Sequence, residues 1–290
     1  MRFGDDPESS NYVDDTGRSV GFGGGGLGGG NALGCLLPMI ASRFGIGGVI
    51  VLIIGYFLLS SLGGLGGVGP STPSTQTAGQ SNLDPQIKRF TLQVLGSTER
   101  TWNQLLGGKY QPTTLHFYSE ADRSGCGMAQ SAMGPFYCPN DNGIYLDTEF
   151  FSELSRRFQA PGDFAMAYVV AHEVGHHVQD LTGSLSQAHD LQARASQTEG
   201  NAIQVKVELQ ADCYAGVWAK NAKDSQGRSV MEPGDFEEGM RAAEAIGDDT
   251  LQRQTQGAVV PDSFTHGSSA QRMEALKRGY DSGDPNVCKF

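Results

Sequence analysis

Between Pro85 and Leu106 the apolar positions Phe90, Val94, Leu95, Trp102, Leu105 and Leu106 recur at helical spacing, and Gly107-Gly108 follows. This pattern predicts an amphipathic helix that stops at the glycine pair. Leu115 and Phe117 alternate with polar residues, which predicts a strand over 114–118, and Ile144-Tyr145-Leu146-Asp147 predicts a second. From Ser152 onward the chain reads as nearly all helix. Pro161-Gly162-Asp163 opens one helix and Gly183 closes it. Residues 184–201 are polar enough for a surface helical arm over a cleft. Ile203, Val207, Ala211, Tyr214 and Trp218 share a face of a helix over 201–222, and further helices are expected over 235–246 and 270–280. Ser268 or Ser269 would cap the last of these. The expected fold class is α+β, mostly helical, with a small β hairpin or sheet beside the 163–182 helix.

The pattern before residue 84 is different. Residues 1–43 carry Asp5, Asp6, Glu8, Asp14 and Asp15 and then the glycine run 21–30, with no core-forming periodicity, so a disordered tail is expected. Residues 44–62 are uncharged and rich in Ile, Val, Leu and Gly. As a helix they would span roughly 28 Å, close to the apolar thickness of a bilayer. A single N-terminal transmembrane helix is therefore expected, with 63–83 a flexible linker and 84–290 the folded domain. Arg43 abuts the apolar run, and no Lys or Arg follows it until Lys88. The positive-inside rule then puts residues 1–43 in the cytoplasm and the domain outside it, in a single-pass protein of the cell membrane.

The helix over 163–182 holds His172-Glu173-Val174-Gly175-His176 in an apolar surround. Residues four apart share a helical face, so His172 and His176 can offer two imidazole nitrogens to one metal ion. Glu173, one step round, can reach a water on that metal without ligating it. Burying these groups in an apolar helix would be costly without a metal, and the set matches a hydrolytic Zn2+ site. Such a site needs a third protein ligand, and Glu208 in the 201–222 helix is the best candidate. Asp212, four residues on, would accept the free N–H of a ligand histidine. The catalytic expectation is that Glu173 deprotonates the water, which attacks a peptide carbonyl, and then protonates the leaving amine.

With these residues the chain resembles the gluzincin metallopeptidases, and more closely the membrane-anchored neutral zinc metallopeptidases of the YpfJ type. The resemblance rests on His172-Glu173-Val174-Gly175-His176-His177 and Glu208-Leu209-Gln210-Ala211-Asp212-Cys213. It also rests on Tyr137-Cys138-Pro139 with Ile144-Tyr145-Leu146-Asp147, and on Val260 to Gly267. It runs from about Arg89 onward and implies a zincin-like peptidase domain. In peptidases of that build a strand beside the metal helix pairs with the extended substrate. The strand before 143–147, or 143–147 itself, is the candidate here, with a core hairpin as the other reading. Thr265-His266-Gly267-Ser268-Ser269-Ala270-Gln271-Arg272 is similar to a Thr-His-Pro-Ser-x-x-x-Arg segment of related membrane-bound gluzincins. His266 would then donate to the developing oxyanion, with Arg272 helping or orienting it. A plain helix-start role for His266 stays open. His177, about 100° round the helix from His176, is not expected to ligate. Tyr145, Tyr168 and Tyr214 are weaker candidates for the oxyanion donor and read first as core, and His116 and His189 read as having no role in the site.

Cys35 precedes the apolar run, while Cys126, Cys138, Cys213 and Cys288 follow it. An even number on the outer side suits an oxidising compartment. Pairing Cys126 with Cys138 and Cys213 with Cys288 is favoured, although the sequence leaves three pairings open. A net charge of −11 argues against a nucleic-acid partner. Two other functions remain: a non-catalytic zinc-containing binding or assembly module at the membrane, and a zinc amidase acting on cell-wall material. The expected partners are a peptide or protein substrate and the membrane. The sequence does not say whether a further protein regulates the site.

Overall fold

A computed structural model describes residues 1–17, 83–156 and 162–289. The expected membrane span 44–62, nearly all of the linker 63–83 and Cys35 lie outside the described residues, and no helix among the described residues is long and apolar enough to cross a membrane. A four-stranded sheet is built from β1 (Tyr12–Asp14), β2 (Thr114–Tyr118), β5 (Phe136–Cys138) and β6 (Gly143–Asp147), in the order β1-β2-β6-β5. β1 and β6 both run parallel to β2, and β5 is antiparallel to β6. β3 (Ala121–Ser124) and β4 (Gly127–Gln130) form a separate hairpin.

Side chains alternate across a strand, and each face of the sheet has its own cover. Leu115, Phe117, Ile144 and Leu146 point into the main helical core. Tyr118, Cys138 and Tyr145 form a smaller cluster on the other face with Ala129 of β4. The Cys126–Cys138 disulfide ties the hairpin to β5.

The helices are α1 (Pro85–Leu105), α2 (Phe150–Arg156), α3 (Asp163–Thr182), α4 (Ser184–Gln192), α5 (Gln197–Asn221), α6 (Asp235–Ala245), α7 (Asp248–Gln256) and α8 (Ser269–Ser282). Expected elements recur with shifted ends, because hydrophobic periodicity marks a helix better than its boundaries. Ser196 and Ser268 close capping boxes at the starts of α5 and α8, with Glu199 and Gln271 as their partners. Gly183, at φ 81°, ends α3. The sequence reading named no separate helix for α2 or α7 and no strand for β1, β3 or β4; α7 is short and polar and carries no apolar stripe.

The N-terminal segment corrects the expectation of a disordered tail over its first 17 residues. β1 lies along β2, with Leu115 donating to the carbonyl of Asn11 at 2.9 Å. Phe3 is buried and meets Phe90 edge-on at 5.8 Å. Asp14 pairs with Lys88 at 2.7 Å and Asp6 with Arg100 at 3.3 Å, while Ser9 and Asn11 both donate to Glu99. Asp5, Asp6, Glu8 and Asp14, four of the acidic residues that suggested a solvated tail, have cationic partners on α1. A strand of three residues is too short to announce itself by alternation; the open edge of β2 creates it.

Candidate metal centre

α3 and α5 cross closely at Gly175, where a Cβ would lie 3.0 Å from the carbonyl oxygen of Ala211. A side chain here would push the helices apart. The close crossing brings Glu208 over the two histidines. The Nε2 of His172 is 3.1 Å from Oε2 of Glu208, and the Nε2 of His176 is 3.6 Å from the same oxygen. The imidazole rings stand nearly perpendicular, 4.8 Å between centroids. One atom from each of the three residues falls within a 4.8 Å cluster, and among the described residues no fourth His, Cys, Asp or Glu joins it. Two imidazole nitrogens and a carboxylate around a common point, all largely buried, fit a divalent zinc ion with one position left open.

The outward nitrogens are also held. Nδ1 of His172 lies 2.7 Å from Oδ1 of Asp212, and Nδ1 of His176 lies 2.8 Å from Oε1 of Gln179. With these Nδ1 atoms donating, both Nε2 lone pairs face the cluster. Gln204, one turn before Glu208, donates to its other oxygen at 2.9 Å.

Asp212 is completely buried and accepts from several groups at once. Arg272 donates to it through Nε and Nη2, both at 2.9 Å, and the Tyr168 hydroxyl donates at 2.5 Å. Burial opposes its charge, but Arg272 and His172 outweigh burial and hold the carboxyl at about 2. Arg272 is therefore spent on Asp212, on Tyr168 at 3.2 Å and on the carbonyl of Ile246; it does not orient His266.

The remaining charges follow the same competition. Burial works against a charge on His172, yet Asp212 pushes its pKa up to about 10, so zinc would have to displace the Nε2 proton before that lone pair can ligate. Burial also works against ionised Glu208, but His176 and His172 hold it well below the usual carboxylate range. For Glu173, burial dominates over the attraction of His172 and His176, and its pKa is raised. A raised carboxylate beside a metal cluster is the type of group a general base requires.

His266 precedes α8, with Nδ1 3.3 Å from Asp248 and its side chain 31% exposed. Its charge is near enough to lower Glu208, and Glu208 in turn raises His266. Asp248 fixes the loop by accepting the backbone N–H groups of Thr265, His266 and Gly267 at 2.7, 2.7 and 3.1 Å.

His177 lies outside the cluster. Its Nε2 donates to the carbonyl of Gln111 at 2.6 Å, and its Nδ1 is 3.0 Å from the Tyr137 hydroxyl. Tyr137 also donates to Asp180 at 2.9 Å, which fastens β5 to α3. The second expected disulfide, Cys213–Cys288, is formed as well. Tyr145 and Tyr214 are core as expected, and His116 stacks on Tyr145 at 4.5 Å.

Three residues around the site, Gln179, Gln204 and Asp248, were not drawn from the sequence for it, and Tyr168 only as a weaker candidate. Tyr168 reads as core, although it sits four residues before His172. Gln179 and Gln204 lie three and four residues from a cluster member, so helical spacing would have found them. Asp248 carries no local signal, because its partners are 17 to 19 residues away.

Comparison with known proteins places the chain in a family. The family model described as "Putative neutral zinc metallopeptidase" matches residues 1–290. The YpfJ protein of Escherichia coli (strain K12) is 46% identical over 243 residues, 83% of each chain. The Mb2605 protein of Mycobacterium bovis is 45% identical over 200 residues, 66% of each chain. No solved structure matches the chain. Zinc is the metal this family implies, and the donor set at His172, His176 and Glu208 suits it. With the family model matching from end to end and the YpfJ relative identical at almost half of the aligned residues, the chain belongs to the neutral zinc metallopeptidase family.

Proposed function

We propose that the protein is a zinc-dependent peptidase whose metal ligands are His172, His176 and Glu208 and whose general base is Glu173. The observation that carries this reading is a three-residue metal cluster with a buried carboxylate next to it and no fourth protein ligand among the described residues. A structural zinc site is normally closed by four protein ligands and has no use for a base, which weighs against a purely binding module. Bound zinc would supply Lewis-acid polarisation of the scissile carbonyl and make water easier to deprotonate. Glu173 takes the proton from the attacking water and returns it to the leaving amine. His266, in its charged form with Nδ1–H given to Asp248, offers Nε2–H to the developing oxyanion. Asp212 and Gln179 hold the two ligand histidines in orientation.

The sheet supports a place for the substrate backbone. β6 is paired on both sides, so it has no edge to offer, whereas β5 is an edge strand fastened to α3 by Tyr137. An extended peptide added along β5 would be held by main-chain hydrogen bonds, which tolerate many sequences.

The reading includes attachment to a membrane through 44–62 and an extracytoplasmic domain, which two disulfides favour. Because β1 is hydrogen-bonded to β2, residues 1–17 lie on the same side of the membrane as the domain. Residues 44–62 therefore cannot cross the bilayer once between them, as the single-pass expectation had it, and would attach the chain without carrying it across. This replaces a cytoplasmic placement for those residues. Single cysteines at Ser10 and Ser225, labelled in intact cells with a membrane-impermeant maleimide, test the arrangement: both should react, and a Ser10 site that is shielded until lysis would return residues 1–17 to the cytoplasm.

The chemical reading is tested on the full-length chain, since residues 1–17 are part of the fold. Zinc content and hydrolysis of a casein-type substrate are compared between wild type and Glu173→Gln. One zinc in each with hydrolysis only in wild type is expected; equal hydrolysis by both would remove Glu173 as the base.

A further inference from the structure

The two ligand histidines are held by different chemistry. His172 meets a carboxylate, but His176 meets an amide, and that amide begins a chain. Gln179 accepts from Nδ1 of His176 through Oε1 and donates through Nε2 to the Val207 carbonyl at 2.7 Å and to Oε1 of Gln210 at 2.9 Å. Gln210 then donates through its own Nε2 to the Cys288 carbonyl at 2.7 Å. Cys288 is bonded to Cys213, five residues beyond Glu208 on α5. Gln179 and Gln210 are both buried.

The chain has one direction. The backbone carbonyls of Val207 and Cys288 can only accept, so the NH2 groups of Gln179 and Gln210 must face them. That orientation turns Oε1 of Gln179 to His176 and requires a proton on Nδ1, leaving the Nε2 lone pair toward Glu208. An amide achieves this without adding a negative charge to a site that already holds Glu173, Glu208 and Asp212. A buried amide missing one partner is penalised, so a loose end at Cys288 weakens the hold on Gln210, then on Gln179, then on His176.

We propose that Gln179 and Gln210 are positioning residues for the metal centre. They form an amide relay that fixes the tautomer and orientation of His176, and the Cys213–Cys288 disulfide anchors it, so that this disulfide sets the zinc affinity of a site it does not touch. The proposal rests on the reading of His172, His176 and Glu208 as the zinc ligands.

The test is zinc affinity, measured by chelator competition on the full-length chain. The variants are Gln210→Met, the pair Cys213→Ser with Cys288→Ser, and all three substitutions together. Cys126→Ser with Cys138→Ser serves as a disulfide control. Gln210→Met and the Cys213/Cys288 pair should each weaken zinc about tenfold, the lower end of what outer-shell losses cost. The triple variant should be no weaker than the worse of the two, because both break one chain. The control pair should stay within about twofold of wild type.

Affinity within about twofold of wild type for either Gln210→Met or the Cys213/Cys288 pair would overturn the relay, and so would losses that multiply in the triple variant. The serine pair decides alone if Gln210→Met does not fold. Wild type that takes up no zinc would instead strike the metal-ligand reading and the relay with it.

Discussion

Oδ1 of Asp212 lies 2.7 Å from Nδ1 of His172, although the two residues are 40 positions apart in the chain. Asp212 follows Glu208 by four residues on α5, so one helical face delivers both the carboxylate beside the Nε2 atoms and the carboxylate that orients one of the rings. Arg272 from α8 closes the arrangement with two hydrogen bonds to Asp212. Ligand orientation and helix packing are thus the same set of contacts.

Asp212→Asn keeps the shape but weakens the hold on His172 and leaves Arg272 buried without a full counter-charge. Zinc affinity should fall by about 10- to 100-fold, and stability should drop by about 3 kcal/mol, as when one partner of a buried pair is removed. Chelator competition and urea unfolding measure the two effects separately. A variant that binds zinc as tightly as wild type would show that Asp212 only packs the helices together.

His266→Ala removes the group proposed to stabilise the oxyanion without touching the cluster. Turnover should fall by about 10²- to 10³-fold, the usual cost of losing one oxyanion donor, while zinc content stays at one per chain. Loss of zinc in this variant would move His266 from the substrate to the metal.

Asp248→Asn addresses the loop that carries His266. Burial opposes the charge on Asp248, but His266 and the N–H groups of His266 and Thr265 outweigh it and hold the carboxyl below its usual range. Such a group stabilises the fold above its unfolded pKa of about 3.9, and the contribution is lost as pH falls through the lower, folded value. His266 is raised, chiefly by Asp248 acting against burial. Its contribution is complete below about pH 6.5 and fades as pH rises through its folded value. The stability gap between wild type and Asp248→Asn should therefore be widest from about pH 4 to 6.5, at about 1–3 kcal/mol. It should close in more acidic solution. Urea midpoints across pH 2 to 8 would reveal it, and a gap independent of pH would mean that the charge on Asp248 is not what holds the loop.

Deleting residues 2–14 removes β1 and the buried ring of Phe3, and leaves the β2 edge open. Burial of Phe3 alone is worth about 2 kcal/mol, so the melting temperature should drop by several degrees. An unpaired β2 edge also favours aggregation. Scanning calorimetry with light scattering reports both. An unchanged melting temperature would mean that the segment is a passenger on the domain.

Local patterns were enough for the elements that carry their own signal. His172, Glu173 and His176 fall on one turn of a helix by spacing alone, and Glu208 with Asp212 by the same rule on another. Leu115 and Phe117 alternate, and Ser268 stands three residues before Gln271, so strand and cap were legible as well. For these residues the relevant neighbour is within four positions.

What the tertiary structure decided are the pairings between segments far apart in sequence. Arg272 was free to serve His266 until α8 packed on α5 and spent it on Asp212. Residues 1–17 look too acidic to fold until Lys88, Arg100 and the edge of β2 are in place to receive them. The choice among three disulfide pairings, the edge position of β5 and the grip of Asp248 on the loop at His266 all arise in the same way. Each depends on which surfaces meet when the helices close over the sheet, and the free energy of those meetings is a property of the packed chain, not of any short stretch of it.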